Sequence, residues 1–140
     1  MYKFLCFGLL VLLLISCEKS KEDPEAFGDI RGVTWQLSDI GDKTLNNNIT
    51  TTLVFEEGNK ISGNGGCNNY FGTYDLYSIG ITISDIVSTR KMCSEEIMEQ
   101  EMTYLDILGK AKSIKFNDYK LEIDSTAEIT SIKFIQEKNQ

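Results

Sequence analysis

From Val33 onward, apolar and polar residues mostly alternate in short runs, the period of strands that bury one face. Trp35 and Leu37 set against Gln36 and Ser38 predict a first strand over Thr34 to Ile40, ended by Gly41-Asp42. The run TTLVFE, Thr51 to Glu56, is rich in β-branched and aromatic residues, and Glu57-Gly58-Asn59 turns it back into Lys60 to Gly63. A second hairpin joins YFGTYDLY, Tyr70 to Tyr77, to ITISDI, Ile81 to Ile86, through Ser78-Ile79-Gly80. Three more strands are predicted at Ser113 to Asn117, Tyr119 to Asp124 and Ile129 to Gln136, the first two linked by a tight turn at Asn117-Asp118.

Between the second hairpin and these strands the period changes. SEEIMEQEMTYLDIL, Ser94 to Leu108, has neither glycine nor proline, and Met98, Met102, Leu105 and Leu108 recur at the spacing of one helix face. That stripe is expected to enter the core. Ser94 stands where an N-cap belongs, Glu95 and Glu96 suit the positive end of the helix dipole, and Gly109 marks the stop. About eight short strands and one helix predict an α+β fold, mainly β: a curved antiparallel sheet closing into a small barrel with one helix packed on it. No unit recurs at a fixed period, so no internal repeat is assigned.

The first residues obey another pattern. Lys3 precedes an uncharged apolar run from Phe4 to Ile15, about twelve residues where a membrane-spanning helix takes roughly 20, which reads as a secretory signal. Leu14-Ile15-Ser16-Cys17 resembles the lipobox of bacterial lipoproteins, in which the cysteine becomes the lipidated first residue. The resemblance implies acylation, palmitate included, at Cys17 and stable anchoring by several acyl chains. The next stretch, EKSKEDPEAFGD, is polar and holds the single proline, Pro24. The expected organisation is a lipoprotein signal peptide over 1–16, a lipidated flexible spacer over 17–31, a folded domain over 32–136 and a tail over 137–140. The expected location is the cell envelope, on the outer membrane's periplasmic face or at the cell surface. The acidic run at Lys21-Glu22-Asp23 is compatible with surface export.

Charge narrows the partners. The formal charge is −7, and loss of residues 1–16 removes only Lys3 and takes it to −8. Such a chain repels phosphate backbones and carries no basic stripe, so nucleic acid is excluded as a partner. The expected contacts are the membrane, through Cys17, and an envelope protein, with the chain itself a monomer.

The stretch NGGCNNYFGTY, Asn64 to Tyr74, raises the chemical question, because its cysteine could be a nucleophile, a metal ligand, half of a disulfide or a packed thiol. The chain has no histidine, which removes Ser-His-Asp and Cys-His catalysis and the histidine-bearing zinc sites. Nothing basic flanks Cys67 to lower its pKa, and there is no C-x-x-C. Nor does any EF-hand loop, or Gly-Lys-Ser/Thr after Gly63 to Gly66, occur. No catalytic residue, metal ligand or cofactor is assigned, and the ligand-binding residues cannot be read. Of four cysteines, Cys6 leaves with the signal peptide and Cys17 takes lipid, leaving Cys67 and Cys93. Two thiols in an oxidising compartment invite one disulfide, with two separate buried thiols as the alternative. The glycines are read as permitting a tight bend, the asparagines as bonding to the turn's own backbone, and the aromatics as opening the next strand's core face.

The landmarks taken together resemble a known family. Trp35-Gln36-Leu37 with Ile40-Gly41, Leu53-Val54-Phe55, the run from Ser62 to Tyr74, Ile83 to Ile86, Thr89-Arg90-Lys91-Met92-Cys93, and Glu101 with Tyr104-Leu105 to Leu108 look like the META domain of HslJ-like heat-shock lipoproteins. The resemblance implies a small antiparallel β-rich domain with a helix, no catalytic activity, and a part in envelope stress response or antibiotic tolerance. Its two marked cysteines map onto Cys67 and Cys93, implying that they are bonded. Two other roles stay open. A carrier of a small apolar ligand would use the barrel interior, and is decided by whether Trp35, Phe55, Tyr74, Leu105 and Phe116 fill it. An inhibitor or chaperone of another envelope protein would need an exposed patch, best placed at Leu45-Asn46-Asn47-Asn48-Ile49.

Overall fold

The computed structural model describes residues 30–78, 80–117, 119–126 and 131–137. The predicted signal peptide, Cys17, most of the spacer, Ile79, the turn residue Asp118, the start of the last predicted strand and the end of the tail lie outside them. In chain order the elements are β1 (Thr34–Asp39), β2 (Thr52–Glu56), β3 (Lys60–Asn64), β4 (Asn69–Tyr77), β5 (Gly80–Ser88), α1 (Glu95–Gly109), β6 (Ala111–Asn117), β7 (Lys120–Ser125) and β8 (Ser131–Gln136). Each strand pairs antiparallel with the next, and β1 pairs with β8 to close the barrel, with Leu37 opposite Phe134. Each strand thus has two neighbours, although among the described residues β5 meets β6 only near its start. The fold is therefore the predicted mainly-β barrel with one helix among the described residues.

Alternation decides what faces inward. Trp35, Leu53, Phe55, Ile61, Ile81 and Ile123 are all 1 % exposed or less, while their chain neighbours turn outward. The rings meet edge to face: Phe55 with Tyr74 at 5.0 Å, Trp35 with Phe116 at 5.3 Å, and Tyr104 with Phe134 at 6.2 Å between centroids. Leu105 and Phe116, partly buried, pack against the same cluster. The five side chains named as the test of a carrier thus occupy the interior or lie against the core that fills it.

One irregularity shapes β4 and β5. Between Phe71↔Val87 and Thr73↔Ser84 the register slips by one residue, so β5 carries a bulge there. Asp85 takes φ 54° within it. Across the bulge a Cβ on Gly72 would come within 3.0 Å of the Ser84 carbonyl oxygen, so glycine lets the strands approach.

The helix corrects one expectation. Its buried residues are Glu101, Tyr104, Ile107 and Leu108, whereas Met102 is 64 % exposed and Met98 and Leu105 are only partly buried. The buried face is rotated by about one residue, roughly 100°, from the methionine stripe. The reason is Glu101: a carboxylate lies on the inward face and an apolar thioether on the outward one, so hydrophobicity alone selects the wrong side. Ser94 holds the N-cap position with an extended backbone, but its side chain makes no capping bond and its carbonyl accepts from the Met98 N–H at 3.1 Å. Gly109 is the last helical residue, as its position predicted.

Candidate functional site

The turn that leads from β3 into β4 is built with almost no spare space. A Cβ on Gly63 would lie 2.0 Å from the Thr52 carbonyl oxygen, and one on Gly65 would lie 2.8 Å from Glu101. Gly66 has φ 124°, a conformation open to glycine, and a Cβ there would also meet Ile49 at 2.7 Å. Asn64 caps the bend through its own backbone, its Oδ1 accepting from the Gly66 N–H at 2.8 Å. The flank is tied to β2: Thr52 Oγ1 accepts from the Asn64 N–H at 3.1 Å, and Thr51 Oγ1 donates to the Gly65 carbonyl at 3.1 Å.

This geometry turns two successive N–H groups toward α1, and Glu101 meets them. Its Oε2 accepts from the Cys67 N–H at 2.9 Å and from the Asn68 N–H at 2.6 Å, and its Oε1 accepts from Asn68 Nδ2 at 2.7 Å. Glu101 is 5 % exposed and Asn68 3 %. A buried carboxylate is tolerated when its oxygens are saturated by donors, and adjacent backbone N–H groups form a concave anion site. Asn68 then extends the network the other way, its Oδ1 accepting from Thr89 Oγ1 at 2.9 Å and from the Lys91 N–H at 2.6 Å. One asparagine thus joins the turn, the helix and the segment after β5. The expectation that the asparagine side chains bond within the turn holds for Asn64 and fails for Asn68, whose side-chain partners Thr89, Lys91 and Glu101 are 21 to 33 residues away.

Cys67 sits inside this network at 6 % exposure, bonded to Cys93, with Cα atoms 6.0 Å apart. Cys93 is exposed and immediately precedes Ser94 at the entry of α1. The disulfide and Glu101 therefore fasten the same turn to α1 at two points, the bond at its entry and the carboxylate roughly two helical turns farther along.

The aromatics of the segment divide by face. Tyr70 and Tyr74 enter the core, while Phe71 is 54 % exposed. The Tyr70 hydroxyl donates to the Thr52 carbonyl at 2.8 Å, which leaves Tyr104 to donate to Tyr70 across 2.6 Å. Burial drives both phenols well above their usual pKa. They stay neutral in the fold and would ionise on unfolding above pH about 10. Their folded pKa values are raised, so their contribution is complete below pH about 10 and is lost as pH rises. The urea midpoint should fall across this alkaline range, each phenol steepening the loss by up to about 1.4 kcal/mol per pH unit, and should fall less in the Tyr70→Phe/Tyr104→Phe variant. A wild-type midpoint that stays flat with pH would contradict this.

The loop singled out as a projecting patch is instead held down. Leu45 packs against the core, Ile49 is buried, and the Asn46 N–H donates to Gln100 Oε1 at 2.9 Å. A cleft of about 250 Å³ lies between this loop and α1, lined by Lys43, Thr44, Asn46, Glu96, Glu99 and Gln100 among others. Of the residues that organise the turn, Glu101 appeared in the sequence only as a family landmark. Its partner Asn68 appeared only as a turn residue within the family-marking run.

The comparisons with known proteins agree with this architecture. A model described as the META domain matches residues 28–139. A protein from Burkholderia xenovorans, solved by NMR, is similar with a TM-score of 0.64 and 18 % identity, over 79 % of this chain and 85 % of that one. A second NMR structure is similar with a TM-score of 0.61 and 19 % identity, over 76 % and 90 %. A crystal structure of a DUF4847 family protein from Bacteroides vulgatus has a TM-score of 0.58 and 14 % identity, over 80 % and 97 %. At these identities the likeness speaks for the fold. No curated protein matches the chain.

Proposed function

The chain belongs to the META domain family, and from that premise we propose that it acts without catalysis, as a lipid-anchored envelope protein whose rigid barrel binds an envelope partner in stress or antibiotic tolerance. The observation that carries this reading is the fate of the family-marking turn. Its cysteine is bonded to Cys93, its backbone donors are taken by Glu101, and Asn68 is saturated on both ends of its amide. The groups that could have done chemistry are spent on holding α1 to the barrel. Function then lies with what a rigid surface can bind. The apolar-carrier reading has less support, because aromatic and aliphatic side chains occupy the barrel interior.

The anchor is tested separately from the binding. In a bacterial host fed labelled palmitate, the full chain should take up label and sediment with membranes. Cys17→Ser should lose the label and move to the soluble fraction. Unlabelled wild-type protein recovered as a soluble species would overturn the anchored reading. For the binding role, in-cell cross-linking of the lipidated chain, with and without envelope stress, should recover the same discrete adduct repeatedly.

A further inference from the structure

The barrel has one weak seam. β5 pairs with β4 from Gly80 to Ser88, but among the described residues its register with β6 is Gly80↔Ser113 alone. The insertion of α1 is the cause, since β6 begins at Ala111, two residues after the helix ends, and does not run beside the rest of β5. Gly80↔Ser113 sets the first residues of β6 beside Ile81 and Thr82, so among the described residues Ile83 to Ser88 has no strand on that side. Along an antiparallel pair the N–H and C=O groups point alternately to the two sides, so about half of those in this stretch face away from β4. Such a row is a template for another extended chain.

We propose that this edge of β5 receives a short extended peptide of a partner protein, with basic side chains, as an added strand. The inference rests on the reading of the domain as a binding module and names the form of what it binds. Four further observations support it. A groove of about 450 Å³ separates the edge from α1, lined by Ser84, Ile86 and Ser88 on one side and Leu105, Asp106 and Gly109 on the other. This lies within the size range of ligand sites, and half-buried Ile86 and Leu105 give it an apolar floor. On the outer face beside the edge, Val87 is 63 % exposed and its cross-strand neighbour Phe71 54 %. An apolar side chain of an added strand would pair with them. The charges at the groove are Asp85, Asp106 and Lys110, the last bound to Asp106 at 2.7 Å. That leaves Asp85, whose Oδ2 accepts from Thr73 Oγ1 at 3.1 Å, as the carboxylate without a cation there, in a chain of formal charge −7. The Asp85 bulge bends the strand, which keeps the added ladder short and discourages sheet-to-sheet stacking.

The test uses the isotope-labelled full chain carrying Cys17→Ser and a short blocked peptide of alternating lysine and valine. Titration should move the amide signals of Ile83 to Ser88 saturably and slow their hydrogen exchange. The same peptide N-methylated at alternate residues, on the side that forms the ladder, should bind at least tenfold more weakly. A glutamate-valine peptide should bind more weakly still, and Asp85→Asn should cost about threefold in affinity for the lysine peptide. Shifts centred elsewhere, equal binding by the N-methylated peptide, or no saturable binding would each overturn the proposal. Because the probe is synthetic, such a failure alongside a reproducible in-cell adduct would sink the edge and leave the binding role standing.

Discussion

Glu101→Ala is expected to lower the folding free energy by roughly 3–5 kcal/mol, because it leaves the Cys67 and Asn68 N–H groups and the Asn68 amide without their acceptor. Bonds to a charged acceptor are worth about 1.5–3 kcal/mol each, and a buried donor left bare costs about 1–3 kcal/mol. Water entering the truncated site would recover part of the sum, hence a value below simple addition. Glu101→Gln keeps the shape but offers one acceptor oxygen and brings an NH2 against N–H donors, so it should lose more than half as much. Urea unfolding at constant pH measures both. A loss below about 1 kcal/mol for the alanine variant would show that the carboxylate does not fasten the turn.

Loss of the Cys67–Cys93 bond is expected to be the second large effect. A sequence separation of 26 corresponds to about 3.5 kcal/mol in the chain-entropy account of cross-links. The closed segment contains β4 and β5, so its release frees a hairpin and the start of α1 together. Reduction, or Cys67→Ala with Cys93→Ala, should shift the urea midpoint accordingly, and intact mass before and after reduction should differ by two hydrogens. Two free thiols in the exported protein would contradict the bond. Since the bond and Glu101 hold one turn, combining the two changes should cost less than the sum of each alone. Strict additivity would mean that they act on separate parts of the structure.

The strands and the barrel are legible in the sequence because alternation and turn residues are local signals, and each hairpin joins neighbours in the chain. Even the closure follows once eight strands alternate, since β1 and β8, with Leu37 opposite Phe134, would otherwise be left as two free edges. Boundaries moved by a residue or two, the usual latitude of strand ends. The helix face was not legible. Met98 and Met102 fit an apolar period, while the true inward face includes a carboxylate whose partners are backbone N–H groups 33 and 34 residues away. No pattern of side-chain hydrophobicity contains that information. Asn68 was hidden for a related reason: its residue type suits a turn, and only the three-dimensional path of Thr89 to Lys91 shows that its bonds reach across the domain. The open edge of β5 was equally hidden, since its pattern, ITISDI, is that of a paired strand. It arises from where the chain places α1.

The NGGCNNYFGTY turn is a fastening device whose polar groups are committed within the fold. Native-state hydrogen exchange at the Cys67 and Asn68 amides tests it most directly. If Glu101 holds both N–H groups, they should exchange only when the whole domain opens, with a free energy equal to that of global unfolding. Exchange through small local openings, at free energies near those of exposed loops, would contradict it and make the turn a mobile site whose donors are available to a ligand.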